Sequence, residues 1–211
     1  MMPASTDWND YYGRPYKAAS LTRRYTGSVL SKLMTRYCRV ERPEILELGG
    51  ANSCFIDKII SEVGPGRYDV VDNNQKGLDL LAERFSSAKN VSALNMNILG
   101  FAPAQQYDIV YSVGLIEHFS QSGTAAAVQA HFSALKPGGL AIITFPTPTV
   151  LYRVTRWASE TLGLWIFHDE RPLELSEVLR ATEGKGNILC KRILWPQVLT
   201  QYCVAVRKVA E

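Results

Sequence analysis

The sequence lacks any apolar run long enough to cross a bilayer, which takes about 20 consecutive apolar residues. Its first residues, with Asp7 and Asp10 among polar and aromatic neighbours, also lack the basic start and apolar centre of a signal peptide. We therefore expect a soluble, cytoplasmic protein.

Cysteine is scarce, and its positions exclude the common uses of a cysteine framework. Cys38, Cys54, Cys190 and Cys203 lie far apart, without the paired spacing that is typical of zinc sites. Each lies among apolar residues, which favours buried thiols over disulfides or metal ligands. No metal site is predicted.

The chain also lacks a large charge of either sign, because its formal net charge is only +3. Basic residues do concentrate before the first strand, in a stretch where Glu41 is the only acid: Arg14, Lys17, Arg23, Arg24, Lys32, Arg36, Arg39 and Arg42. An anionic partner could bind there, but a basic solvated face of an amphipathic helix is commoner and needs no partner.

With 46% hydrophobic residues over 211 positions, the chain can form one domain with a full core. We expect a single domain over residues 1–211, with an N-terminal helical or lid segment at 1–42 and a helical insertion at 146–175.

The most informative stretch is residues 44–52, Glu-Ile-Leu-Glu-Leu-Gly-Gly-Ala-Asn. A short apolar strand ends there in two glycines, just after Glu47, and a helix is predicted from Ser53 to Glu62. Glycine has no Cβ, so Gly49 and Gly50 allow a sharp turn and the close approach of a ligand. This strand, glycine turn and helix are typical of a nucleotide-type cofactor site, although many α/β proteins use such a turn only for packing.

A second apolar strand, Tyr68 to Val71, ends in Asp72. This acid lies about 20 residues beyond the glycine turn, where nucleotide-binding α/β units place a ribose-binding carboxylate. The alternative is that Asp72 only caps a helix beginning near Asn74. The spacing favours the ribose contact.

Strand and helix patterns alternate along the rest of the chain. Further strands are predicted at 91–96, 107–113 and 140–145, with helices near 77–85 and 124–135. Alternation of this kind indicates parallel pairing in a doubly wound sheet. The last two runs, 188–194 and 199–206, are joined by a short connection and are predicted to be antiparallel. We predict an α/β fold with a doubly wound, mostly parallel seven-stranded sheet that ends in a C-terminal antiparallel hairpin.

In motifs and in their order, residues 42–208 resemble the class I S-adenosylmethionine-dependent methyltransferases. The motifs that carry the resemblance are Ile45 to Ser53, Asp72 at the end of the second strand, Asn97 with Ile98 after the third, Tyr107 to Gly114 followed by Glu117-His118-Phe119, and Leu135-Lys136-Pro137-Gly138-Gly139-Leu140. The last string is the most specific. The resemblance implies the Rossmann-like fold of that family and S-adenosylmethionine as cofactor, with S-adenosylhomocysteine (SAH) as product.

The sequence departs from the family pattern at two places. Ala51 and Ser53 stand where the family often has its second and third glycines, and Asn97 stands where it usually has Asp. Small residues still permit close approach, and the Asn97 carbonyl can accept a hydrogen bond from the adenine amine without charge assistance. A non-catalytic binding or scaffold protein is the alternative function, and a nicotinamide dehydrogenase ranks third because Gly-x-Gly-x-x-Gly is missing.

The resemblance implies a set of cofactor-binding residues at the ends of the strands. They are Glu47, Gly49, Gly50, Asp72, Asn73, Asn97, Ile98, Ser112 and Gly114. Glu47 and the loop after the fourth strand are expected near the methionine part of the cofactor.

His118 is the candidate general base, because the loop after the fourth strand borders the methyl-transfer centre in this family and imidazole accepts protons near neutral pH. The open alternative is that Glu-His-Phe only caps and packs a helix start. His168 is a second candidate on the acceptor side, and His131 is predicted to be a packing residue.

Two segments outside the common core are expected to contact the acceptor. The first contains Tyr11, Tyr12 and Tyr16 and is either a lid over the pocket or a helix packed on the edge of the sheet. The second is the insertion at 146–175, whose apolar residues recur at helical spacing: Val150, Leu151, Val154, Trp157, Ala158, Leu162 and Trp165. This stripe is interpreted as a packed lid, with membrane contact or dimerisation as alternatives.

The predicted function is methyl transfer to a small-molecule acceptor, at a hydroxyl oxygen of a natural-product, sugar or lipid-linked substrate. A nucleic-acid substrate is not expected, since no Asn-Pro-Pro-aromatic string follows the fourth strand and no strong basic charge is present. Peripheral membrane contact is a weak alternative, and the oligomeric state stays open.

Overall fold

The computed structural model describes residues 6–13, 20–101, 103–194 and 200–210. The helices are α1 (Trp8–Gly13), α2 (Ser20–Tyr37), α3 (Ile56–Val63), α4 (Gln75–Arg84), α5 (Gln121–Ala134), α6 (Val150–Thr161) and α7 (Leu175–Thr182), with a 3₁₀ turn at Ile116–His118. The strands are β1 (Glu44–Leu48), β2 (Arg67–Asp72), β3 (Val91–Asn95), β4 (Tyr107–Val113), β5 (Leu135–Pro146), β6 (Gly186–Ile193) and β7 (Gln201–Lys208).

The seven strands form one sheet in the order β3-β2-β1-β4-β5-β7-β6. Strands β1 to β5 pair in parallel, and β7 is antiparallel to both β5 and β6. The predicted fold class is therefore confirmed, including the terminal hairpin. The connection predicted at 195–198 lies outside the described residues.

Apolar side chains cover both faces of the sheet, which makes a three-layer structure. One core cluster joins the sheet to α5 and α7, through residues such as Val128 and Val178. The other joins it to α2, α3 and α4, through residues such as Leu30, Ile59 and Leu81. Because parallel strands are covered on both faces, their central residues read as continuous apolar runs in the sequence.

Several predicted boundaries shift by a few residues. Helix α3 begins at Ile56 and not at Ser53, because the glycine turn continues through residue 55 before the chain becomes helical. Strand β5 begins at Leu135, so the Lys-Pro-Gly-Gly string belongs to the strand and not to a separate turn. A register shift between Tyr107 and Ile109 accommodates this start.

The expectation that all four cysteines are buried is wrong for Cys54, which is exposed on the loop before α3. Cys203 is buried, and Cys38 and Cys190 are half-buried. No helix among the described residues has the length and apolar character that a membrane span requires.

Candidate functional site

The carboxyl ends of β1, β2 and β4 meet at one edge of the sheet. Leu48 pairs with Val71 of β2 on one side and with Ser112 of β4 on the other. The crossover after β1 turns towards β2, while β4 lies on the opposite side of β1. The glycine turn therefore lies at the topological switch point, where open α/β sheets bind ligands.

Glu47 lies beneath this turn, with only 2% of its surface exposed. Ser53 Oγ donates to its Oε1 at 2.7 Å, and the Tyr68 hydroxyl donates to its Oε2 at 2.7 Å. Burial raises the pKa of the Glu47 carboxyl, against the hydrogen bonds from Tyr111, Tyr68 and Ser53 that lower it. Both carboxylate oxygens of Glu47 accept a hydrogen bond within the protein. Glu47 therefore stabilises the conformation of the glycine turn that lies above it.

The two glycines are required by close contacts. Gly49 has a φ of 70°, and a Cβ there would lie 2.5 Å from Leu115 Cδ1. A Cβ on Gly50 would lie 2.6 Å from the Cδ atom of Glu47, which the three hydroxyl groups hold in place. Ser53 stands where the family pattern often has a third glycine, and its hydroxyl donates a hydrogen bond to Glu47.

Asp72 is available for a ligand role, because another residue caps α4. The N-cap of α4 is Asn74, whose side chain accepts from Gly77 N at 2.8 Å. Asp72 Oδ1 accepts from Asn74 N at 2.8 Å, and its side chain is 7% exposed. Burial raises the pKa of Asp72, while the amides of Asn74, Asn73 and Ala51 lower it. The capping alternative is thus excluded for Asp72, and Asn73 lies exposed beside it.

The residues predicted to contact adenine follow β3. Asn97 is exposed, and its Oδ1 accepts from Leu99 N at 2.9 Å, which fixes the amide orientation. One lone pair of that carbonyl stays available for an exocyclic amine. Ile98 is buried at 7% exposure and packs in the α5 side of the core.

The structure gives Ser112 a different partner from the expected cofactor. Ser112 is fully buried, and its Oγ lies 2.9 Å from His131 Nε2. His131 Nδ1 lies 2.8 Å from the Ala127 carbonyl, so Nδ1 carries the proton and the Ser112 hydroxyl donates to Nε2. The packing role predicted for His131 agrees with this geometry. Gly114, with a φ of 64°, follows at the end of β4.

His118 lies in the 3₁₀ turn Ile116–His118, which follows β4. Its Nδ1 is 3.2 Å from Asp169 Oδ1, and 10% of its side chain is exposed. Burial lowers the pKa of His118, against the charge of Asp169 that raises it. Burial also acts on Asp169, but the hydrogen bond from Thr6 and the charge of His118 outweigh it and hold the pKa of Asp169 low. This dyad fixes the imidazole orientation, which the sequence did not predict.

Two further carboxylates lie beside His118. Glu117 is 1% exposed, and its Oε2 has no hydrogen-bond partner among the described residues. Glu170 accepts from the Tyr152 hydroxyl. Burial raises the pKa of Glu170 to about 7, and burial with the nearby charge of Glu170 raises the pKa of Glu117 well above its ordinary value.

Helix α1 covers the site from outside. The Trp8 ring lies 5.0 Å from the His118 ring in an edge-on arrangement, and Tyr11 contacts Phe167 with ring centroids 5.6 Å apart. Tyr12 lies against Gly77, where a Cβ would be 3.0 Å from the Tyr12 Cδ2 atom. The pKa of Tyr12 is raised by burial and by the charge of Asp72. These contacts favour the lid alternative for this segment, which stays a prediction, and they place Tyr12 near Asp72.

Two of the residues predicted on the acceptor side contribute no described contact there. Tyr16 lies outside the described residues. His168 is exposed, whereas its neighbours Phe167 and Asp169 contact His118. In this stretch only His168 was predicted as a site residue, because nothing in the spacing of residues 167–170 showed which of them would point inward.

The predicted packed lid at 146–175 is wrong for the apolar stripe of α6. Trp165 is buried, but the exposed fractions of Val150, Val154, Trp157 and Leu162 are 81%, 56%, 65% and 71%. The face that packs inward carries Tyr152, which is 1% exposed and bonds Glu170. The helix thus turns its apolar stripe towards solvent.

The chain was compared with known protein families, sequences and structures. Residues 45–139 match the family model described as a methyltransferase domain. No curated protein sequence matches the chain significantly.

Solved structures of the same fold share little sequence with the chain. The N-methyltransferase NodS from Bradyrhizobium japonicum WM9 has 16% identity and a TM-score of 0.68, over 90% of this chain and 98% of its own. Magnesium protoporphyrin IX methyltransferase (ChlM) from Synechocystis PCC 6803, with bound SAH, has 10% identity and a TM-score of 0.73, over 95% and 92%. The 1,6-didemethyltoxoflavin-N1-methyltransferase of Burkholderia thailandensis, with bound 1,6-didemethyltoxoflavin and S-adenosylhomocysteine, has 13% identity and a TM-score of 0.69, over 93% and 82%. Residues 45–139 thus match a methyltransferase domain, and the chain has the fold of these solved methyltransferase structures.

Proposed function

We propose that the protein binds S-adenosylmethionine at the carboxyl edge of β1, β2 and β4 and transfers its methyl group to a hydroxyl oxygen of a small natural-product, sugar or lipid-linked acceptor. The observation that carries this proposal is Asp72. Asp72 is the last residue of β2 and its buried carboxylate lies beside the glycine turn. Its carboxylate is not needed to cap α4, because Asn74 is the N-cap of that helix.

The cofactor residues follow from the family resemblance and from this geometry. Gly49 and Gly50 leave room for the methionine part, and the Asp72 carboxylate can accept from the ribose hydroxyls. Asn97 and Ile98 would hold the adenine. Glu47 acts by fixing the turn, and Ser112 supplies backbone only, because its hydroxyl is bonded to His131.

Methyl transfer depends more on the positioning of cofactor and acceptor than on covalent catalysis. The acceptor oxygen forms a bond to the methyl carbon while the sulfur–carbon bond breaks, its electron pair returns to sulfur, and the hydroxyl proton must leave. The contact with Asp169 orients the His118 imidazole, which supports this residue as the group that promotes loss of that proton. An oxygen acceptor suits such a group. That His118 acts as a general base stays a prediction.

Small-molecule acceptors are supported by the lid. The rings of Trp8 and Phe167 contact His118, and Tyr11 packs against both of them. Such an aromatic surrounding suits a compact organic acceptor more than an extended polymer. Two of the structurally similar enzymes are named for small molecules, 1,6-didemethyltoxoflavin and magnesium protoporphyrin IX.

The decisive test is calorimetric titration with SAH of the wild type, Asp72→Ala and Asp79→Ala. Asp79 is an exposed carboxylate on α4 and serves as the matched control. A charged hydrogen bond contributes about 1.5–3 kcal/mol, so we expect roughly 10–100-fold weaker binding for Asp72→Ala and unchanged binding for Asp79→Ala. Absence of SAH binding by the wild type would exclude the enzymatic function and favour a scaffold protein of this fold.

A further inference from the structure

Three potential metal ligands converge on the acceptor side of the site. One ligand atom each from Glu117, His118 and Glu170 lies within 4.8 Å of the other two. Glu117 and His118 come from the 3₁₀ turn after β4, whereas Glu170 follows α6. The fold, and not the sequence spacing, brings them together.

The buried side chain of Glu117 gives a second, independent indication that a cation binds here. Its side chain is 99% buried, since 1% of its surface is exposed, and Oε2 has no partner in the described part of the chain. Leaving a buried polar atom without a partner costs free energy, more so when it is a carboxylate oxygen. A second carboxyl group, that of Glu170, lies in the same cluster. A bound cation would coordinate the free oxygen and favour the ionised form of both carboxyl groups.

The other two members are held by neighbours, as metal ligands usually are. Asp169 Oδ1 lies 3.2 Å from His118 Nδ1, and the Tyr152 hydroxyl donates to Glu170 Oε1. Such outer contacts orient imidazole and carboxylate ligands at metal centres. Each ligand thus has at least one atom left for a cation.

We infer that Glu117, His118 and Glu170 bind a divalent cation of the Mg²⁺ or Mn²⁺ class. Two carboxylates with one imidazole suit such hard or borderline ions, and three protein ligands leave coordination positions open for water or for oxygens of an acceptor. Gly114 links this cluster to the cofactor edge, because a Cβ on it would lie 3.3 Å from Glu117 Oε1.

The role of the cation rests on the proposed methyl transfer. An acceptor hydroxyl bound to the cation becomes more acidic, and its oxygen is oriented towards the sulfonium methyl. The oxygen–methyl bond forms, the sulfur–methyl bond breaks with its electron pair left on sulfur, and the proton passes to solvent. In the loaded site His118 acts as a ligand, and the cation takes over the promotion of proton loss.

The experiment is Mn²⁺ titration of the full chain, treated first with EDTA and then freed of it, followed by electron paramagnetic resonance of free Mn²⁺. Four proteins are compared: the wild type, Glu117→Gln, Glu170→Gln and Glu174→Gln. Gln keeps the shape of Glu, and Glu174 is an exposed acid of the same segment that serves as the control. Loss of an outer partner costs about 10–100-fold in metal affinity, so loss of a ligand should weaken Mn²⁺ binding at least about 100-fold.

The expected result is one Mn²⁺ per chain for the wild type and Glu174→Gln, with binding lost in Glu117→Gln and in Glu170→Gln. Thermal unfolding provides a second readout, because Mn²⁺ should raise the midpoint of the wild type and leave that of both ligand variants unchanged. Equal Mn²⁺ affinity in all four proteins, or none in the wild type, overturns the site. SAH titration in EDTA separates the two proposals: SAH binding without Mn²⁺ binding rejects the metal site alone.

Discussion

At the scale of single residues, the buried pair His131 and Ser112 shows how one side chain can fix both a helix and a strand. His131 is fully buried on α5, and it bridges the Ala127 carbonyl to the Ser112 hydroxyl of β4. Burial lowers the pKa of His131 to about 4, only partly opposed by the bond to Ala127. The neutral imidazole is therefore the form that the folded protein holds.

This pair predicts a loss of stability in acid. The pKa of His131 is lower in the folded state than its ordinary 6.5, so its contribution is complete above pH 6.5 and is lost as pH falls towards 4. A shift of this size corresponds to about 3 kcal/mol. Urea denaturation of the wild type and His131→Gln across that range should show the difference in their unfolding free energies shrinking as pH falls. A difference independent of pH would contradict a neutral buried His131.

Some residues of the candidate site could be predicted from their spacing along the sequence, and others could not. Asp72 and the two glycines could be predicted, because the distance from turn to acid along the chain is set by one strand-helix-strand unit. The role of Ser112 could not, since its partner His131 lies on another element. Asp169 and Glu170 reach His118 only through the path of a segment that has no repeating pattern, so their orientation was not predictable.

At the scale of elements, α6 shows that apolar periodicity identifies a helix but not its buried side. The spacing from Val150 to Leu162 correctly predicted a helix. It assigned the stripe to the interior, whereas the structure buries Tyr152 and exposes Trp157. Two polar contacts fix this orientation: Tyr152 donates to Glu170, and Arg156 Nη1 donates to the Glu170 carbonyl at 2.9 Å. A hydropathy pattern does not contain such contacts.

The two faces of α6 should therefore respond differently to substitution. Because Trp157 is 65% exposed, Trp157→Lys should change the free energy of unfolding by less than about 0.5 kcal/mol. Tyr152→Ala removes a buried ring on the same helix and should cost about 3–5 kcal/mol. Urea denaturation at one protein concentration measures both. A large loss for Trp157→Lys would mean that the stripe is covered in solution, and its dependence on concentration would test for self-association.

At the scale of the whole molecule, the strand order follows from alternation and handedness. Alternating strands and helices require parallel crossovers, and right-handed connections limit the sheets that can result. This is why the seven-stranded sheet was predictable in advance. The lid was left as one of two alternatives, because a short aromatic segment carries no information about which part of the molecule it will cover.

Helix α1 joins the two sides of the site. On the cofactor side, Asn9 accepts from Asn74 Nδ2 at 2.9 Å and from Lys76 Nζ at 3.0 Å. On the acceptor side, Trp8 packs against His118 and Phe167. A helix of 6 residues is too short to be stable alone, so these contacts hold it in place. Elements that are held by few contacts open at low free energy, so we expect α1 to open without unfolding of the sheet.

Weakening these contacts should speed cofactor exchange. Trp8→Ala removes the aromatic contacts with His118 and Phe167, each worth about 0.5–1.5 kcal/mol, so the dissociation rate of SAH should rise roughly 5–150-fold. Trp157→Ala removes a ring of the same type from an exposed surface and should leave the rate unchanged. Stopped-flow displacement of SAH measures both rates. Equal rates in Trp8→Ala and the wild type would show that the cofactor leaves without moving α1, so that the helix would serve the acceptor side alone.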